Sequence, residues 1–140
     1  MAESSNQLRV RLVTPERILF ESPADAVELP SKTGYLEVLY GHAPLMAELG
    51  AGDVVVHGGP ENEKRYNVSW GFVEVLPDRV TILANDALKP EEIDTARAGQ
   101  QLDRGTKMWN QAGDSEEAYA KALHVIAEAE AKLASAGEKH

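Results

Sequence analysis

Cysteine is absent from the 140-residue chain, which removes disulfide staples, thiolate metal sites and thiol nucleophiles, and suits a reducing compartment. Positive charge is scarce: 14 Lys and Arg stand against 23 Asp and Glu, a formal net charge of −9. A protein that grips a phosphate backbone needs the opposite balance, so no nucleic acid or anionic membrane surface is expected as a partner. Long apolar runs are missing too. Mean hydropathy is −0.34, no stretch approaches the ~18 residues of a membrane span, and direct membrane insertion is not expected. The first residues, Met1-Ala2-Glu3-Ser4-Ser5-Asn6, have neither the basic start nor the apolar core of a secretion signal, so the protein is expected to stay on the side where it is made.

Catalytic punctuation is also wanting. There is no phosphate-binding loop of the G-x-x-x-x-G-K-[ST] type, no G-x-G-x-x-G after a strand and no G-x-S-x-G elbow. The histidines His42, His57, His124 and His140 are too scattered for paired metal ligands, which disfavours a cupin-like metal enzyme. No cofactor is expected. Glu28 and Glu37 could be imagined as a carboxylate pair, but strand alternation places such charges on the solvent face by default.

What is present falls into two halves. The length fits one domain, or a compact domain with a smaller appendage. From Leu8 to Ala84 the apolar residues come in short runs of period two. Leu8, Val10 and Leu12 alternate with Arg9 and Arg11, for example, and Pro15 ends that strand. Turns are expected at Pro30 to Gly34, Gly50 to Asp53, Gly58 to Asn62 and Pro77-Asp78. So many short strands bury an apolar face by packing one sheet on another, and an antiparallel sandwich of about ten strands is expected, with a barrel as the other solution.

After Ala87, Ala, Glu, Gln and Lys dominate and the period becomes helical. Pro90-Glu91-Glu92 suits a helix start, and a first helix is expected to run to about Asn110. Asp114 or Ser115 can cap a second helix that runs to about Ala136 and ends at Gly137. Ala118, Ala122, Val125, Ala129 and Leu133 form one stripe, with Ala98, Leu102, Gly105 and Trp109 as the counterpart. The fold class is therefore α+β: a β-sandwich over residues 1–88, then an antiparallel two-helix hairpin over 89–140 that is the more mobile part.

One segment is more specific than a generic sandwich: Leu29-Pro30-Ser31-Lys32-Thr33-Gly34-Tyr35-Leu36-Glu37-Val38-Leu39-Tyr40-Gly41-His42-Ala43-Pro44-Leu45. It resembles the L-P-x-x-x-G-x-L-G-V-L-P-G-H-A-P-L signature of the epsilon subunit of F-type ATP synthases. Val13-Thr14-Pro15-Glu16, Tyr66-Asn67-Val68-Ser69, Gly71-Phe72-Val73-Glu74-Val75 and Val80-Thr81-Ile82-Leu83-Ala84 add to the likeness. Ile93-Asp94-Thr95-Ala96-Arg97-Ala98 is similar to the family's I/L-D-x-x-R-A. The chain departs from the pattern at Glu37, where Gly is usual, at Tyr40, where Pro is usual, and at Trp70, where a small residue is usual.

The resemblance implies a non-catalytic rotor subunit in the central stalk of an ATP synthase, peripheral on the cytoplasmic face of the bacterial inner membrane. Its implied partners are the gamma subunit, the membrane c-ring and, transiently, the alpha/beta catalytic head. The turn Ser31, Lys32, Thr33, Gly34 and Tyr35 matches the segment that meets the c-ring, and Gly71, Phe72 and Val73 are candidates for the gamma side. Gly41, His42 and Pro44 make a structural loop. Ile93, Asp94, Arg97 and Ala98 match the motif through which some relatives bind ATP. The rival for Asp94 and Arg97 is a local ion pair. ATP-binding relatives add arginines from the second helix, whereas here none follows Arg104. From Asn110 onward Lys121, Lys132 and Lys139 stand against Asp114, Glu116, Glu117, Glu128, Glu130 and Glu138, so weak or absent ATP binding and weak inhibition of hydrolysis are expected. The alternative function is a free-standing β-sandwich that binds a small ligand, with the helices as a dimerisation arm.

Overall fold

The computed structural model describes residues 7–59 and 62–137. The N-terminal stretch read for a secretion signal, Pro60 and Glu61 within the Gly58 to Asn62 turn, and Glu138, Lys139 and His140 lie outside the described residues. The chain divides into two compact units, Met1–Leu88 and Lys89–His140.

The first unit is a seven-stranded sheet: β1 (Leu8–Val13), β2 (Ile18–Ala24), β3 (Ala26–Ser31), β4 (Gly34–Leu39), β5 (Leu45–His57), β6 (Glu63–Leu76) and β7 (Arg79–Leu88). Their order across the sheet is β2-β1-β7-β6-β5-β3-β4. Only Asp25 separates β2, at one edge, from β3, near the other. A connection that short forces the sheet to curl back over itself, and the result is two layers around one core. Leu8, Val10, Leu12, Val27, Leu29, Val38, Leu49, Val54, Val68, Val73, Val75, Val80 and Ile82 fill that core and are all but inaccessible to solvent. Arg9 and Arg11 alternate outward from the same strand that buries Leu8, Val10 and Leu12.

Two expectations need correction. Among the described residues the strands number seven, because Gly50 to Asp53 is no chain reversal: β5 runs through it for 13 residues, and β6 runs through Trp70-Gly71 for 14. The glycines there serve close approach. A Cβ on Gly50 would stand 2.9 Å from the Ser31 carbonyl oxygen, and one on Gly52 would collide with the Tyr35 hydroxyl. Nor is the sheet wholly antiparallel, since β1 runs parallel to β7 with Val10 opposite Val80. Hairpin turns impose antiparallel pairing only on neighbours in sequence; the first and last strands meet without one.

In the second unit, a 3-10 turn at Pro90–Glu92 precedes α1 (Thr95–Asn110), so the long helix starts later than Pro90 suggests. Asp94 is its N-cap, accepting from the Arg97 backbone N–H at 3.1 Å. Ser115 caps α2 (Glu116–Gly137), accepting from the Ala118 N–H at 3.0 Å. The helices lie antiparallel: Gln101 Nε2 donates to the Val125 carbonyl, and Trp109 meets Tyr119 edge-on at 4.6 Å. At Gly105 a Cβ would stand 2.7 Å from Ile126 Cγ1, so the seam closes there because the side chain is missing. Among the described residues, no helix is long and apolar enough to cross a membrane.

Candidate functional site

The turn between β3 and β4 has Lys32 and Thr33 at its tip, with Ser31 opposite Gly34 and Pro30 opposite Tyr35. Gly34 takes φ +135°, a value that side chains resist. Ser31 closes the turn from within, donating its hydroxyl to the Gly34 carbonyl and accepting from the Thr33 N–H. Tyr35 is 61% exposed, yet its hydroxyl accepts from the Asp53 N–H at 3.0 Å, across the gap that Gly52 leaves. Asp53 is in turn buried against Arg65 at 3.2 Å and Asn67 Nδ2 at 3.2 Å. An exposed aromatic with its polar end fixed is the form of an interface anchor.

Lys32 is tied inward. Its Nζ lies 3.4 Å from Glu48 Oε1 and 5.8 Å from the centre of the Trp70 ring, while its backbone N–H donates to the Glu48 carbonyl. Trp70 takes φ +61°, a left-handed conformation uncommon for a bulky side chain and costing on the order of 1–3 kcal/mol. The register carries through on both sides of β6: Leu49 pairs Gly71 and Ala51 pairs Ser69, while Ser69 pairs Asp86 and Gly71 pairs Ala84. Two successive positive φ values, at Trp70 and Gly71, turn β6 out of the extended conformation, and the register sets Gly50 on β5 and Asn85 on β7 level with that bend.

Of the trio Gly71, Phe72 and Val73, only Phe72 offers a side chain to solvent, being 53% exposed. Val73 is wholly buried in the core. Gly71, at φ +133°, has no room for a Cβ, which would fall on the Leu83 carbonyl oxygen. Phe72 is part of something larger. It stands opposite Leu83 on β7, Leu83 opposite Val13 on β1, and Val13 opposite Ile18 on β2. Residues directly opposite share a face. Ile18, Leu83 and Phe72 are all exposed and make an apolar row across the outer surface of the sheet.

Gly41, His42 and Pro44 follow β4. Gly41, at φ +91°, donates its N–H to the Pro77 carbonyl at 2.7 Å, tying this loop to the β6–β7 turn. His42 N–H donates to Leu39, and its ring Nδ1 bonds the Ala43 carbonyl at 2.7 Å. Glu28 and Glu37 are direct cross-strand neighbours. The Glu28 carboxylate meets His57 Nε2 at 3.1 Å, and Glu63 lies 4.0 Å from the other ring nitrogen. Among the described residues, no group of three or more His, Asp and Glu can hold a metal ion.

The segment Ile93 to Ala98 has a structural account. Asp94 spends its carboxylate on the helix N-cap rather than on an ion pair with the Arg97 side chain. Ile93, just before the cap, and Ala98, four residues after it, are buried at the positions of a hydrophobic staple. Arg97 is exposed.

Sequence reasoning missed Glu48, Gly52, Asp53 and the row Ile18, Val13, Leu83. None is close in sequence to the residue it serves. The pairing register brings them together, and only a strand-by-strand alignment of faces would have found them.

A family model described as ATP synthase, Delta/Epsilon chain, beta-sandwich domain matches residues 7–90. The chain is 41% identical over 133 residues to the ATP synthase epsilon chain of Solibacter usitatus, covering 94% of this chain and 97% of that one. It is 37% identical over 132 residues to the ATP synthase epsilon chain of a Cyanothece species, covering 93% and 95%. The fold is similar to that of a chain in the Euglena gracilis mitochondrial ATP synthase structure, with TM-score 0.77, 22% identity and coverage of 93% and 81%. It is also similar to a chain of the central stalk and c-ring structure of Tetrahymena thermophila mitochondrial ATP synthase, with TM-score 0.67, 14% identity and coverage of 92% and 96%.

Proposed function

The chain belongs to the ATP synthase Delta/Epsilon family, and from that premise we propose that it is the central-stalk rotor subunit that couples gamma to the c-ring in proton-driven ATP synthesis. It is an epsilon-type chain, a non-catalytic subunit. The observation that carries the reading is the match to an epsilon chain along nearly the whole of both sequences. A free-standing ligand-binding module has no such support.

A rotor element must pass torque without yielding. The sandwich suits that demand, with one core drawn from all seven strands and a docking turn bonded into the strand beside it. In this reading the turn Ser31 to Tyr35 meets the c-ring through the Tyr35 ring. The gamma side is the outer row led by Phe72, with Gly71 shaping the bend and Val73 anchoring it from the core. The loop Gly41, His42 and Pro44 holds the end of β4 to the β6–β7 turn. The place of work is the cytoplasmic face of the bacterial inner membrane.

The helical unit contacts the alpha/beta head transiently and restrains hydrolysis weakly, because its second helix is acidic. Ile93, Asp94 and Ala98 are committed to starting α1, which leaves Arg97 alone to meet a triphosphate. One guanidinium is too little without a phosphate loop. Binding to purified gamma, followed by size-exclusion chromatography, tests the assignment. A one-to-one complex at micromolar concentration is the expected result, and separate elution of the two chains would overturn it.

A further inference from the structure

We propose that Trp70 is the positioning residue of the β3–β4 turn: its ring, set by a left-handed backbone on the bend line of β6, clamps Lys32 against Glu48 and fixes the pose in which Tyr35 is presented. The importance of that pose rests on the c-ring reading above; the clamp itself does not.

The bend does not ask for a tryptophan. Across β5 the same line is occupied by Gly50, and the next residue on β6 is Gly71, at φ +133°. Glycine at position 70 would adopt φ +61° without steric cost. The backbone instead holds a bulky residue there, and its ring lies under a cation, with Lys32 Nζ 5.8 Å from the ring centre. The same ammonium reaches Glu48 Oε1 at 3.4 Å, and the Lys32 N–H donates to the Glu48 carbonyl at 3.1 Å. Turn tip, β5 and β6 thus meet at one side chain. On the far side of the turn, Tyr35 is held by the Asp53 N–H, so both ends of the two-residue tip are fixed. A backbone outlier whose side chain is engaged in this way points to a selected role.

The clamp makes predictions that mere packing does not. In the full chain, Trp70→Gly relieves the backbone and removes the ring, so Tm holds or rises while the turn loosens. Amide exchange at Thr33, Gly34 and Tyr35 rises roughly two- to fivefold, the worth of one exposed cation–π contact. The upfield ring-current shift of the Lys32 methylene protons disappears. Trp70→Phe, which keeps a ring, restores part of both signals. Lys32→Gln loosens the turn by itself, and combining it with Trp70→Gly adds less than the product of the two separate effects. If Trp70→Gly leaves the Lys32 shifts and the turn exchange unchanged, or the two substitutions act independently, the clamp is wrong. Should Trp70→Gly fail to fold, Lys32→Gln decides: turn exchange must rise while core protection is unaltered. Proton pumping by rebuilt complexes carrying the same variants separates the two readings. A looser turn with undiminished pumping upholds the clamp and removes the turn from the c-ring contact.

Discussion

Gly71 shows how much can hang on one missing side chain. Its φ of +133° and the Leu83 carbonyl behind it leave no place for a Cβ. Gly71→Ala should destabilise the sandwich by about 2–4 kcal/mol, seen as a fall in Tm of roughly 10 °C or more for a unit of this size. Asp94 makes a different prediction. Asp94→Ala removes the α1 N-cap and should cost about 1 kcal/mol of helix stability, read as lost ellipticity at 222 nm on warming. Calorimetric titration with ATP should show no sub-millimolar binding for either form. Several of these residue roles were legible in the sequence, among them Ser115 as a cap and the alternation of Leu8, Val10 and Leu12 with Arg9 and Arg11. The conformation of Trp70 was not, because no local pattern announces a left-handed tryptophan; the bend that carries it is set by strands far apart in the chain.

At the scale of elements, glycine misled the count of strands. Gly50 and Gly52 look like turn residues, yet β5 passes straight through them, since their purpose is to let the Ser31 carbonyl and the Tyr35 hydroxyl come close. The parallel contact of β1 with β7 was invisible for a related reason: no turn joins the two, so nothing local encodes its direction. Helices are easier to read because their period and caps are local, and α1 and α2 end at Asn110 and Gly137. Their seam is testable at its tightest point. Gly105→Val would drive a branched side chain into Ile126 and Val125, costing about 1–3 kcal/mol of hairpin stability. The hairpin should then melt earlier than the sandwich in a chain where both are followed by residue-resolved exchange, and equal melting of the variant and parent hairpins would contradict the close packing.

At the scale of the whole molecule, the chain divides into two compact units. Among the described residues, the core cluster of the sandwich runs from Leu8 to Ala87. We therefore expect a chain truncated after Leu88 to fold, with a β-type circular dichroism spectrum, a cooperative melt and undiminished affinity for gamma. A disordered truncated chain would make the helices part of the folding unit. The helical unit carries little cationic charge on its second helix, so its removal should change hydrolysis by less than about twofold, in keeping with weak rather than strong electrostatic docking.

In the function proposed above, this chain couples rotation to proton movement without doing chemistry itself, and the sandwich does the coupling. ATP-driven proton pumping in vesicles, measured for complexes rebuilt with the full chain, with residues 1–88 or with neither, tests it most directly. Pumping is expected with either form of the chain, and hydrolysis without pumping when both are left out. Pumping that persists without the chain, or that needs residues 89–140, would contradict it.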